Sequence, residues 1–391
     1  MKVQTLNDQL KIKIPEFSKF PHVRSNVSIV HYADNIYFLT YRLFVPDKRV
    51  KVNNVPIPWK SKWRNNVDTT VFCLAKRNKS GTFKILSEEV ILPSIFMNED
   101  QSIVDTRIFK TKDGIFNISF NTWTQTPTGT IRSDLKKACF GSWNCTYVAK
   151  ATLLLDKTDG IKVSKFVYPC LNTKIVMPRS NRCYDGQREE KNWVYWYTNN
   201  NEEMISYFVE PHIVMKAARN NNTCKVVAET NGNSLKKIKE LYPSMNFLLG
   251  TPPIRYSKNE YIAVGHMKYN YKRTDVLNES HLNNKVLHFN KACNPEKPGH
   301  LIYMMFFYTF KATSPYNITR VGHCFIPPNH GQYMLPFPMG LTTSNDSGKY
   351  IVSYGEADRY VKLLTLTKNE IEKMLMDYNN LDVNKYKFMV L

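Results

Sequence analysis

Residues 35–42 read NIYFLTYR, a turn residue followed by an alternating apolar strand that ends on the charged Arg42. The same design returns as GIFNISFN (114–121), EMISYFVEP (203–211), EYIAVGH (260–266) and KYIVSYGE (349–356). Alternation with a period of two marks strands that bury one face. Tyr37, Phe116, Ile205, Tyr261 and Tyr350 hold equivalent positions, separated by 79, 89, 56 and 89 residues. Each interval has room for a four-stranded antiparallel unit plus an insertion. Five such units predict an all-β chain, a five-bladed β-propeller over about residues 26–366, because radially arranged blades leave few open strand edges. A two-sheet sandwich is the alternative that the repeat leaves open. Residues 1–391 are read as a single domain.

Helical patterns are scarce. One short C-terminal helix is expected over about residues 368–378 (KNEIEKMLMDY) with Thr367 as its N-cap, and a second candidate spans 234–241. Hydrophobic residues make up 42% of the chain and aromatics 13%, with 23 Tyr and 21 Phe, which supplies a real core and favours strands over disorder. No stretch approaches the roughly 20 apolar residues of a membrane-spanning helix. The most apolar run, Leu301 to Phe310, reads as a buried strand. The opening residues, MKVQTLNDQLKIKIPEF, lack the apolar core of a signal peptide, so a cytoplasmic location is expected.

Eight cysteines show neither C-x-x-C nor zinc-ligand spacing, so they read as free structural thiols and no metal site is expected. Sequons at Asn26, Asn78, Asn117, Asn144, Asn221, Asn278, Asn317 and Asn345 read as incidental to an Asn-rich chain. The formal charge of +21 is spread along the sequence without a run of five or six cations. No nucleic-acid motif accompanies it, so nucleic acid is not an expected partner, and much of the charge reads as solvated surface. A phosphate-bearing substrate would engage only a few of these cations.

In a radial fold the innermost strands converge on one channel, so polar groups near strand ends can meet there from separate blades. Arg42, Asn121, His212, His266 and the stretch Glu356 to Asp358 are placed for this. Asp105 and Arg107, in SIVDTRIFK (102–110), pair a carboxylate with a cation, either as a surface ion pair or as a general acid beside an anion-binding arginine. In REEKNW (188–193), Glu190, Lys191 and Asn192 precede Trp193, which offers a stacking face for a sugar or fills the core. Thr251-Pro252-Pro253 leads to His266, and Phe337-Pro338-Met339-Gly340-Leu341 leads to Tyr354, Gly355 and Asp358. A lone histidine is more often a core residue than a catalytic one, a reading that also covers His212. There is no Walker or dinucleotide glycine loop, G-x-S-x-G elbow or H-E-x-x-H, and no cofactor is expected.

Taken in order, Tyr41-Arg42, Val104-Asp105-Thr106-Arg107-Ile108, Glu190-Lys191-Asn192-Trp193, Thr251-Pro252-Pro253 with His266, and Phe337-Pro338 through Tyr354-Gly355 and Asp358 resemble the motif series of glycoside hydrolase family 130 propellers and the related β-1,2-mannosyltransferases. The resemblance implies an inverting enzyme acting on β-mannosides, with a carbohydrate acceptor and a phosphate or nucleotide-sugar donor. It assigns Asp105 as the acid, with Arg107 and Lys191, helped by Arg42 and His266, as a cationic cradle for phosphate. Asp358 would hold sugar hydroxyls. Thr106 stands where the family has Pro, and Glu190-Lys191-Asn192 is a variant of the phosphorylase motif. An inverting hydrolase using Asp105 with Glu190, Glu356 or Asp358, and a non-catalytic glycan-binding propeller, are the competing readings.

Overall fold

A computed structural model describes residues 1–7, 9–10, 23–45, 51–52, 55–56, 67–90, 92–93, 103–123, 146–156, 160–164, 167, 192–218, 223–230, 233–241, 245–271, 300–328, 335–344, 348–356 and 358–391. The chain is all-β with a propeller-like arrangement. Blade I is the antiparallel meander Val23–Ala33, Ile36–Val45, Val67–Arg77 and Phe83–Val90. Blade II runs Val104–Lys110, Phe116–Trp123, Thr146–Asp156 and Gly160–Val163, with Leu92–Pro93 added in parallel at its outer edge. Blade III is Val194–Tyr197, Glu203–Phe208, His212–Ala217 and Cys224–Thr230. Blade IV is built on the long pair Glu260–Tyr271 and His300–Lys311, flanked by Met245–Leu248, Ile254–Ser257 and Ile318–Gly322. The apolar run at 301–310 is thus the buried strand its composition predicts.

Four blades drawn from consecutive chain, rather than the expected five, carry this arrangement. The last repeat enters a composite sheet of Pro336–Thr343, Lys349–Glu356 and Tyr360–Thr367, closed on its outer edge by the N-terminal strand Lys2–Thr5. Among the described residues there are two helices, α1 (Asn233–Leu241) and α2 (Lys368–Glu372). Thr367 caps α2 as expected, and Glu370 completes a reciprocal capping box. The helix is shorter than the expected 368–378, because Leu375–Asp377 pairs with the edge of Ile318–Gly322. Edge pairing overrides the local helical pattern there. Among the described residues no helix is long and apolar enough to cross a membrane.

The reading of all cysteines as free thiols is corrected at one position: Cys224 is disulfide-bonded, whereas Cys73 and Cys324 are free and buried. Aromatic rings fill the seams between blades. Trp196 of blade III lies 4.8 Å from Tyr261 and 5.3 Å from Phe310 of blade IV, edge-on or tilted, the arrangement ring quadrupoles favour. Phe38 of blade I meets Phe116 of blade II at 4.6 Å.

At the centre, three innermost strands are stitched by one hydroxyl. Ser28 of blade I is fully buried, accepts from the Ile108 backbone N–H at 3.1 Å and donates to the Met339 carbonyl at 3.1 Å. Beside it Gly340 approaches so closely that a Cβ would lie 2.4 Å from the Ile29 nitrogen and 2.6 Å from the Ser353 Oγ. Backbone on one side leaves nothing flexible to yield. Gly340→Ala should therefore lower the unfolding free energy by about 1–3 kcal/mol, read as a lower denaturation midpoint.

Candidate active site

Two irregularities in the central strands create the site. The pairing of Val23–Ala33 with its neighbour shifts register between Ser25 and Ser28, and that of Val104–Lys110 shifts between Val104 and Arg107. Such bulges re-aim a side chain out of the ladder. Asn26 and Asp105 sit in them, each with φ of +53°. Asn192 (φ +65°) and Asp358 (φ +52°), from two further parts of the fold, share this left-handed backbone. Asn and Asp tolerate that region best among residues with a Cβ, and strained positions gather where a fold holds functional groups.

These residues form one hydrogen-bonded cluster. The Asn26 amide donates to Asp105 Oδ1 at 2.6 Å and lies 3.4 Å from Asp358 Oδ1. Asn121 donates to Asp105 Oδ2 at 3.2 Å and accepts from the Asn192 backbone N–H at 3.2 Å. Both carboxylate oxygens of Asp105 thus receive an amide proton. Arg42 adds a cation, its Nη1 3.7 Å from Asp105 Oδ1, with side-chain exposures of 26% and 20% for the pair.

Arg107 takes a different place from the one the motif implies. It is 1% exposed, and its nitrogens donate to the Gly250 carbonyl (2.6 Å), the Asp105 carbonyl (3.2 Å) and Asn192 Oδ1 (3.2 Å). Its guanidinium also lies over the Phe337 ring at 5.6 Å. Burial pulls its pKa down to about 10, opposed by the Asp105 charge, so it stays cationic at neutral pH. It braces the floor of the cluster, and Arg42 is the cation on the solvent side. Thr106 also points inward: its hydroxyl meets Thr70 Oγ1 at 2.7 Å, and its carbonyl accepts from Thr40 at 3.2 Å. A proline at 106 would leave that Thr70 hydroxyl without this partner.

The structure thus brings together Arg42, Asp105, Arg107, Asn121, Asn192 and Asp358, the last exposed at the rim. Glu190 and Lys191 lie outside the described residues. His266 is buried, with Phe337 at 4.8 Å and Tyr303 at 5.4 Å, and Phe337 is also the ring that the Arg107 guanidinium lies over. Tyr354 is buried in an apolar cluster, and burial raises its pKa, helped by Glu356. Glu356 is itself buried and ion-paired with Lys362. Trp193 fills the core against Tyr207 at 5.2 Å, so its ring is not exposed for stacking. Among the described residues no group of three or more His, Cys, Asp or Glu converges as a metal site.

Sequence reasoning passed over Asn26, which read only as a sequon. Its signal is the polar pair Ser25-Asn26 interrupting the alternation of a central strand. Gly355 is its counterpart, since a Cβ there would lie 2.2 Å from Asn26 Oδ1 and 2.7 Å from the Asn26 nitrogen.

In overall shape the chain is similar to the β-1,2-mannobiose phosphorylase of Listeria innocua, with 11% identity and a TM-score of 0.50, covering 95% of this chain and 99% of that one. A GDP-Man-dependent mannosyltransferase from Leishmania mexicana aligns with 92% of this chain and 90% of its own, at 9% identity and a TM-score of 0.46. An exo-β-1,3-galactanase from Clostridium thermocellum aligns with 93% of this chain and 63% of its own, at 8% identity and a TM-score of 0.46. No protein-family model and no curated protein matches the sequence. At 11% identity the likeness to the phosphorylase speaks for the fold alone, an all-β propeller-like chain.

His212 lies away from this cluster. It is 1% exposed, its Nδ1 is 2.9 Å from the Tyr316 carbonyl, and its ring meets Phe310 at 5.0 Å. Burial lowers its pKa to about 4. The unfolded chain takes up a proton near pH 6.5 and the folded chain does not, so stability is lost as pH falls from about 6.5 toward 4. The loss should reach about 3 kcal/mol, and His212→Gln should flatten that slope in denaturant melts run across the window.

Proposed function

We propose that the chain is a glycosyl-transferring enzyme whose reaction centre is Asp105, acting on β-mannosides with a phosphate or nucleotide-sugar partner, and that the composite sheet counts as a fifth blade. The carrying observation is the Asp105 carboxylate, held by the Asn26 and Asn121 amides with the Arg42 cation 3.7 Å away. A carboxylate is the form that synthesis requires. As the acceptor hydroxyl attacks the anomeric carbon, Asp105 takes its proton, the new C–O bond forms, and the bond to the phosphate oxygen breaks. Phosphorolysis is the same path reversed: a phosphate oxygen attacks while a protonated Asp105 gives its proton to the departing glycosidic oxygen.

An anion bound beside Arg42 would engage that cation next to the Asp105 carboxylate. Positioning and neutralisation of the anion replace a second catalytic base. The substrate class follows the motif resemblance and the β-1,2-mannobiose of the phosphorylase with the same fold.

The inverting-hydrolase reading fits less well. Asp105 and Asp358 contact one nitrogen of Asn26 at 2.6 and 3.4 Å, so their facing oxygens are no farther apart than those distances combined. That is tight for a water between carboxyls roughly 6.5–9.5 Å apart. Glu356, the other described carboxylate of that motif, is committed to Lys362.

Incubating the full chain with mannose 1-phosphate or GDP-mannose and a mannose acceptor should give an extended mannoside. Asp105→Asn should reduce its rate by about 10²–10⁴-fold. Product formed at an undiminished rate by the variant would remove Asp105 from the reaction.

A further inference from the structure

A cavity of about 170 Å³ opens where the N-terminal strand Lys2–Thr5 closes the composite sheet beside the outer hairpin of blade I. It shares no residue with the Asp105 cluster. Its lining brings four cationic side chains together, Lys2, Arg77, Lys79 and Lys349, with a single carboxylate, Glu370, which the Met1 ammonium meets at 2.5 Å. These come from three stretches of chain that only the closed fold makes neighbours.

Glu370 is already engaged. It accepts from the backbone N–H of Thr367 at 2.7 Å and from its hydroxyl at 3.0 Å, as the reciprocal half of the α2 cap. The cations are held rather than splayed. Arg77 is 4% exposed, and its Nη1 donates to the Ser344 hydroxyl, a neutral acceptor, at 2.7 Å. Gly81 (φ +80°) packs so closely that a Cβ would lie 2.9 Å from Arg77 Nη2. Lys2 Nζ is fixed 3.1 Å from the Ser80 carbonyl. Like charges converging on a concave space raise its potential, and the favourable occupant is an anion small enough to meet several at once. Thr365 and Thr367 line the same space, the Thr367 hydroxyl with its proton already given to Glu370.

We propose that this cavity is a second anion site, one that takes a phosphate group, either as free inorganic phosphate or as the terminal phosphate of a sugar. Its occupant would bridge the closing strand, blade I and the composite sheet, so binding should also tighten the join between the two ends of the fold.

The test is titration of the full chain with inorganic phosphate and, separately, with mannose 6-phosphate at constant ionic strength. Both are followed by calorimetry and by thermal midpoint, in the Arg42→Gln background, which disables the cation at the Asp105 mouth. Saturable phosphate binding that persists in that background, raises the midpoint, and weakens by roughly tenfold or more on adding Lys79→Gln and Lys349→Gln supports the site. Both lysines are at least partly exposed, so these substitutions spare the core. Binding of both probes identifies a phosphate group at the end of a larger molecule, and binding of phosphate alone identifies the free anion. Absence of saturable binding in the Arg42→Gln chain, or equal binding with and without the two lysines, overturns the proposal.

Discussion

A single amide anchors the candidate site. Asn26 donates to Asp105 at 2.6 Å, and it reaches that position only because its strand bulges and its backbone turns left-handed. The absent side chain of Gly355 is what makes room for it. The carboxylate is therefore fixed from below by packing rather than by its own strand. Moving Gly355 moves Asn26, and moving Asn26 takes away one of the two amides that hold Asp105. Ser28, two residues along, binds blade II to the composite sheet through its hydroxyl, so the same strand sets both the architecture and the chemistry.

The two arginines divide a task that the motif resemblance had merged. Arg107 is buried and satisfied by carbonyl and amide oxygens, which stabilise its charge at short range and fix the backbone around Asp105 and Asn192. Arg42 keeps about a quarter of its side chain in solvent, 3.7 Å from the Asp105 carboxylate.

Much of this was legible in the sequence. Period-two alternation located the second strand of each sheet, and the polar residues at their ends pointed to Arg42 and Asn121, while Asp105 stood out by its pairing with Arg107. The equal-repeat picture failed in the last sheet, because its outer strand comes from residues 2–5, too far away in sequence for periodicity to report. Helix α2 stops short of its pattern for a similar reason, since an unpaired sheet edge recruits Leu375–Asp377. Of the two readings open for His212, the core one holds: it is buried against the Phe310 ring with its Nδ1 on the Tyr316 carbonyl. Asn26 stayed hidden because its importance lies in a backbone torsion and in the close approach of Gly355, neither of which leaves a compositional trace.

Closure of the last sheet by Lys2–Thr5 against Tyr360–Thr367 also sets a timetable. During synthesis the earliest strand must remain unpaired while blades I to IV emerge and pack, for its partner is made more than three hundred residues later. Loop-closure entropy for so distant a pairing is met only once the intervening blades have brought the ends together. The ring is latched last, and until then an open edge of the composite sheet remains exposed to unwanted partners.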